Sequence, residues 1–384
     1  MRLMSRIAFA LLATAALIAG GPASAQQKLK WAHVYETSEP YHTESVWAAA
    51  EIKKRTNGKF DIEVFPASSL GKETDINQGM ALGTVDMIIS GPSFAARSYP
   101  RLGIAYYPFI FRDADHLLAY SKSAVFGEMV NEFRAKTGIQ ILAYTYYGAR
   151  QTTSNRPFTD CAGMKGLKIR VPDVPAYMAT PKSCGANPTP IAFAEVYLAL
   201  QNGTVEAQEN PLTTIEAKKF YEVQKAIMMT SHIVDGLTTQ VAPHVWNKLT
   251  DAEKKIFTDV TREAAARQAG ELEAHPLGAV DREAVAETFG DRRMRRRKAG
   301  VENAPGDLEV VGFGDAHSGS EAVGDQQTRR VFDRDQDSAG LDEATHVLDG
   351  RVVVIGGAVA RGQLPVALGH ARDAVAWRQR DGLA

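Results

Sequence analysis

Cysteine is nearly absent: Cys161 and Cys184 are the only two in a chain of 384 residues. Neither follows the N-terminal apolar run, which argues against a lipoprotein, whose anchor needs a cysteine at the cleavage point. Long apolar runs are equally scarce. After Ile7–Ala19 no segment offers the roughly 18 uninterrupted apolar residues of a membrane-spanning helix. An excess of one charge is missing as well. From Lys28 to Ala274 the chain holds 17 Lys and 10 Arg against 27 Asp and Glu, a balance that points away from nucleic acid and anionic membranes. The Gly-x-Ser-x-Gly elbow and the His-Glu-x-x-His helix do not occur, and His33 and His42 lack the spacing of a metal site. The expectation is a chain with no metal, no cofactor and no catalytic centre.

What is present begins with an export signal. Arg2 and Arg6 precede the apolar run, and Ala23-Ser24-Ala25 supplies the small residues of a cleavage site after Ala25. This predicts export to the periplasm, with the mature chain starting near Gln26. In an oxidising compartment Cys161 and Cys184 can pair; two thiols that never pair are the alternative.

The segment after Gln26 alternates strand and helix patterns. Strands are expected at Leu29–Val34, Phe60–Phe65, Val85–Ile89 and Ile139–Tyr147. Helices are expected at Tyr41–Arg55, with Val46, Ala49, Ala50 and Ile52 facing the sheet, then at Glu73–Leu82 and Asp113–Lys136. A second block from Gly148 carries a strand at Leu167–Val171, helices at Val174–Ser183 and Phe193–Leu200, and a short strand at Val205–Gln208. Segments Glu222–His232 and Ile233–Val241 cross back, and an amphipathic helix spans Asp251–Leu272. This order predicts an α/β fold with a mostly parallel sheet, in two lobes with a ligand cleft between them. Residues 27–147 with 236–272 form lobe I, and residues 148–235 form lobe II.

Arg150 and Arg170 stand near the expected strand ends, with Asn210 in Gln208-Glu209-Asn210-Pro211. A guanidinium can give two parallel N–H bonds to one carboxylate, so two of them with an amide suggest a clamp for a small organic acid.

The motifs Arg150-Gln-Thr-Thr-Ser-Asn-Arg-Pro157, Met164-Lys-Gly-Leu-Lys-Ile-Arg-Val-Pro172, Gly185 to Leu200, Gln208-Glu-Asn-Pro211 and Lys218-Lys-Phe-Tyr-Glu-Val-Gln224 occur in one order. Over Lys28–Leu272 the chain resembles the extracytoplasmic solute-binding proteins of TRAP transporters, the DctP type. The resemblance implies two lobes that close on an organic acid and deliver it to a membrane permease, without catalysis. It gives Arg170 the main carboxylate contact, Arg150 and Asn210 assisting roles, and Phe193 a place in the cleft wall. Each has a plainer alternative: Arg150 a helix cap, Asn210 a turn before Pro211, Phe193 ordinary core.

His33, Glu36 and Glu73 lie just after strand ends or at helix starts. From there they could read ligand hydroxyls, which suggests a polyhydroxylated acid. For Glu36 and Glu73 the alternative is a solvated charge complementing a helix dipole. The segment Ser90-Gly91-Pro92-Ser93-Phe94 lacks the charged residues that the sialic-acid-binding branch offers its sugar. The stretch Trp31 to Pro40, together with Cys161 and Cys184, resembles members associated with hexuronates such as glucuronate and galacturonate. An aldonate, a C4 dicarboxylate or an aromatic acid stand behind a uronate, and an exported sugar-acid enzyme is the competing class.

From His275 onward the composition changes to one Lys against 14 Arg with no Tyr. Residues 273–384 are expected to be a non-family tail: a frameshifted terminus, or alternatively an appended one in which Arg292–Lys298 is a solvated charge patch. Arg351–Gly362 lacks the glycine spacing of a dinucleotide loop.

Overall fold

The computed structural model describes residues 26–277, 309–312, 344–348 and 351–355. The expected signal segment, residues 1–25, and most of the expected tail lie outside the described residues.

Strands β1 (Gln27–Ala32), β2 (Phe60–Phe65), β3 (Met87–Ser90), β4 (Gln140–Ser154), β5 (Lys168–Val171), β6 (Asn187–Pro190), β7 (Ala207–Pro211), β8 (Ala226–Met229) and β9 (Val234–Val241) carry the architecture. They run in the order β2-β1-β3-β9-β4-β7-β5-β6, with β8 also on β4. β4 belongs to two sheets: Gln140–Ala149 pairs with β9, and Arg150–Ser154 pairs with β7 and partly with β8. The change of partner falls at a bulge beside Gly148, whose φ of 127° and tight fit against Pro211, 2.8 Å from an added Cβ, leave no room for a larger residue.

The sheet is mixed rather than mostly parallel. β1 pairs in parallel with β2 and β3, and β5 with β6 and β7. At the centre β9 and β4 are antiparallel to their neighbours, because the chain returns to the first sheet directly instead of through a crossover helix.

The local elements follow their signals with several departures, among them the expected helix Phe193–Leu200, which is a 3-10 turn at Phe193–Glu195 followed by the helix Val196–Gln201. In the helix Pro40–Arg55 the buried residues are Tyr41, Glu44, Ser45, Ala48, Ala49 and Ile52, so Val46 and Ala50 face outward. The expected helix Asp113–Lys136 is two, Ala114–Ser121 and Ala124–Thr137. Asp113 and Ser123 each cap one, accepting from the backbone N–H of His116 and Phe126. The expected helix Val174–Ser183 begins as a 3-10 turn, Pro175–Met178, before Ala179–Ser183.

The helix Asp251–Ala274 starts in a capping box between Thr250 and Glu253. It packs on β4 and on the helix Pro40–Arg55, with Phe257 edge-on to Phe60 at 5.2 Å between ring centres. Cys161 and Cys184 form a disulfide with Cα atoms 4.9 Å apart, tying the loop before β5 to the end of the helix after it. Further on, Glu309–Gly312 pairs in parallel with β8, and Ala344–Leu348 forms an antiparallel pair with Arg351–Ile355. That pairing gives Arg351–Ile355 a hairpin partner, not the setting of a dinucleotide loop.

Candidate ligand-binding site

A cavity of 410 Å³ lies where the two sheets face each other. Arg170, on β5, lines it and is buried. Its Nε donates to the carbonyl of Ile191 at 2.9 Å, while Nη1 has no hydrogen-bond partner. Burial lowers its pKa to about 10, which leaves it charged at neutral pH. A buried cationic donor without a partner is costly, and an anion accepting from it removes that cost.

Arg150 also lines the cavity, but its N–H groups are committed. Nε donates to Glu209; Nη1 donates to Asp235 Oδ2 at 2.7 Å; Nη2 reaches Glu209 Oε1 at 2.9 Å and Asn210 Oδ1 at 3.2 Å. Burial acts to raise both carboxyls. Beside Arg150 and His232, Glu209 nevertheless stays below its ordinary value, whereas for Asp235 burial prevails. Two guanidiniums offered to one carboxylate is therefore not the arrangement found: Arg170 carries the open charge, and Arg150 is matched by two buried acids. Asn210 accepts from Arg150 and donates one N–H to Gln208 Oε1 at 2.6 Å, which orients its amide at the cavity wall.

Phe193 lines the cavity with its ring 5.8 Å from the Arg170 guanidinium and 5.1 Å from Lys218 Nζ. Glu73, the first residue of the helix Glu73–Leu82, faces it from the half that holds β1 to β3. Its Oε1 accepts from Ser90 Oγ at 2.7 Å and from the Gly91 N–H at 3.1 Å. Burial raises its pKa to about 7, with the Ser90 and Gly91 hydrogen bonds lowering it, Asp235 adding and Arg170 opposing.

His33 and Glu36 are not brought to this cavity. β1 ends at Ala32, two residues earlier than its pattern suggests, and the turn that follows presents Val34 and Tyr35 instead. His33 is buried behind Tyr35, its Nε2 3.3 Å from His42 Nδ1, and burial pushes its pKa down to about 3. Glu36 accepts from Lys218 Nζ at 2.7 Å. Tyr35, Tyr147 and Tyr177 line the cavity unanticipated. The confinement of all 12 tyrosines to the family-like part was the one signal that pointed to them, since a tyrosine gives an apolar face and a polar tip to a sugar-like ligand.

Two α/β halves joined by a shared strand, closing on a cavity with an unmatched guanidinium, define a solute-binding protein for an organic anion. The chain belongs to the bacterial extracellular solute-binding protein family 7, DctP, whose model matches residues 31–283. The match runs past Leu272, where the motifs lead one to expect the resemblance to stop. Members of this family serve transport with membrane permease components, act outside the cytoplasm in the periplasm, and are not enzymes.

A solute-binding protein of Roseobacter denitrificans is 33% identical over 274 residues, covering 71% of this chain and 84% of the relative. Its crystal structure, with bound L-galactonate, superposes with a TM-score of 0.61 at 29% identity over 75% of this chain and 90% of that one. The sialic acid-binding periplasmic protein SiaP of Vibrio cholerae is 34% identical over 258 residues, covering 67% and 79%. A TRAP periplasmic solute-binding protein of Polaromonas, bound to D-erythronate, gives a TM-score of 0.63 at 28% identity over 75% and 88%. One from Xanthobacter autotrophicus with bound beta-D-galacturonate gives 0.64 at 24% identity over 81% and 95%, a likeness of fold.

Proposed function

We propose that this protein captures a sugar acid, a small polyhydroxylated monocarboxylate, in the periplasm and hands it to the membrane subunits of a TRAP transporter. The observation that carries this reading is Arg170: a buried, charged guanidinium with an unpartnered Nη1 beside a cavity of 410 Å³. In it the ligand carboxylate lies on Arg170 with help from Asn210, and its carbon chain lies along Phe193. The hydroxyls meet Glu73 and the tyrosines. Arg150 assists by holding Asn210.

Within that class a hexuronate, glucuronate or galacturonate, is the reading that Trp31–Pro40 and the cysteine pair favour. An aldonate is the second reading, supported by the L-galactonate and D-erythronate of relatives sharing 29% and 28% identity. Sialic acid is disfavoured by the uncharged segment Ser90–Phe94. The residues after 283, where the family match ends, are taken as a tail outside this function.

Thermal unfolding with a panel of acids tests the proposal, since a ligand that binds only the native state raises the midpoint. Hexuronates and aldonates should shift it more than succinate, orotate or sialic acid. A preference for succinate, or no shift with any sugar acid, would overturn it.

A further inference from the structure

The charges around the cavity are unequal in freedom. Arg150 is matched by Glu209 and Asp235, and Asp173 is paired with Arg97 at 2.7 Å. Lys72 and Glu195 are both exposed, where solvent screens their charges. Two charged groups remain: Arg170, with Nη1 unpartnered, and Glu73. The Glu73 carboxyl is held by Ser90 Oγ and the Gly91 N–H at one oxygen, and its Oε2 has no partner among the described residues. A cavity with one anchored cation and one anchored acid accepts a molecule carrying one carboxylate and, away from it, hydrogen-bond donors. A second ligand carboxylate would meet an acceptor-only group whenever Glu73 is ionised.

We propose that Glu73 is the specificity-determining residue that makes this cavity select monocarboxylic sugar acids against the corresponding diacids, by accepting from a ligand hydroxyl at Oε2 and repelling a second carboxylate there. This rests on the sugar-acid reading above. Like charges brought together at a recognition site are strongly disfavoured, whereas the hydroxyl is rewarded, so one carboxyl supplies both halves of the discrimination.

The filter has a pH dependence with a definite sign. Glu73 titrates at about 7, raised chiefly by burial, and the groups around it are Asp235, Arg170, Tyr35, Tyr177 and Lys72. Above that value Glu73 is ionised and opposes a diacid. Below it the neutral carboxyl no longer does.

Calorimetric titration of the full exported chain with D-galacturonate, L-galactonate and galactarate, at pH 5.5 and pH 8, tests this. The wild-type protein should prefer its best monoacid to galactarate by at least about tenfold at pH 8, with the margin narrowing at pH 5.5. Glu73→Gln should shrink the margin at pH 8 by about tenfold and make it insensitive to pH, whereas Glu73→Asp, which keeps the charge, should retain a margin. An unchanged ratio in folded Glu73→Gln, or a wild-type preference for galactarate, overturns the filter and leaves the carboxylate reading standing. Failure of all three acids to bind the wild-type protein overturns both.

Discussion

Lys218 and Glu36 form an ion pair at 2.7 Å beside the cavity, joining the segment after β7 to the turn after β1. Arg97 and Asp173 do the same on another side, at 2.7 Å. The first pair is the better sheltered, and its ammonium also lies 5.1 Å from the Phe193 ring. Lys218→Met should therefore speed ligand dissociation by about twofold to fivefold, the worth of a partly shielded pair, and Arg97→Met by less. Stopped-flow release measured at low and high salt checks both, and equal effects would contradict the ranking.

Arg170→Lys should weaken acid binding by more than tenfold, or about 2–4 kcal/mol, because a lysine gives no pair of parallel bonds to a carboxylate. Calorimetry on the folded variant measures it. Unchanged affinity would remove Arg170 from the main contact.

Glu209→Gln should cost about 3 kcal/mol of stability, since it leaves the buried Arg150 short of one of its two matching acids. Urea unfolding reads the loss, and a neutral result would mean that Asp235 alone suffices.

Reduction of the disulfide between Cys161 and Cys184, which closes a span of 23 positions, should remove about 3 kcal/mol and lower the unfolding midpoint by roughly 10 °C. Labelling of the denatured, unreduced protein should find no free thiol. Two labelled cysteines would contradict the bridge.

Stability should fall as pH rises from about 5 to 7.5, then level. Glu39 and Glu73 both titrate at about 7 in the folded protein, raised mainly by burial, so the native state holds protons that the unfolded chain has lost. Their stabilisation is full below the ordinary carboxyl range and is lost as pH passes the folded values. His33, pushed down to about 3, acts in the opposite sense, being stabilising above 6.5 and losing that contribution as pH falls. It offsets one of the two acids. Urea midpoints across this range check the slope, and Glu39→Gln should flatten it.

Local chemistry made much of this fold legible. Phe60–Phe65 and Glu73–Leu82 match their patterns residue for residue, the second because Gly83 closes it in the left-handed conformation. No Gly or Pro marks the break at Lys122-Ser123, and β4 runs on past Tyr147 because Gly148, which resembles a stop in the sequence, adjoins a bulge in the strand. Arg170 stood out in its motif. The partners of Arg150 could not, since Glu209 and Asp235 lie 59 and 85 positions away and only the antiparallel pairing brings them in.

β4 is one ribbon of 15 residues that serves both sheets. A swing of one half against the other is then a change of torsion along that ribbon, with its hydrogen-bond ladders kept whole on either side of Gly148. The backbone pairing need not be remade in such a swing, and the contacts that part are side-chain pairs such as Lys218 with Glu36 and Arg97 with Asp173.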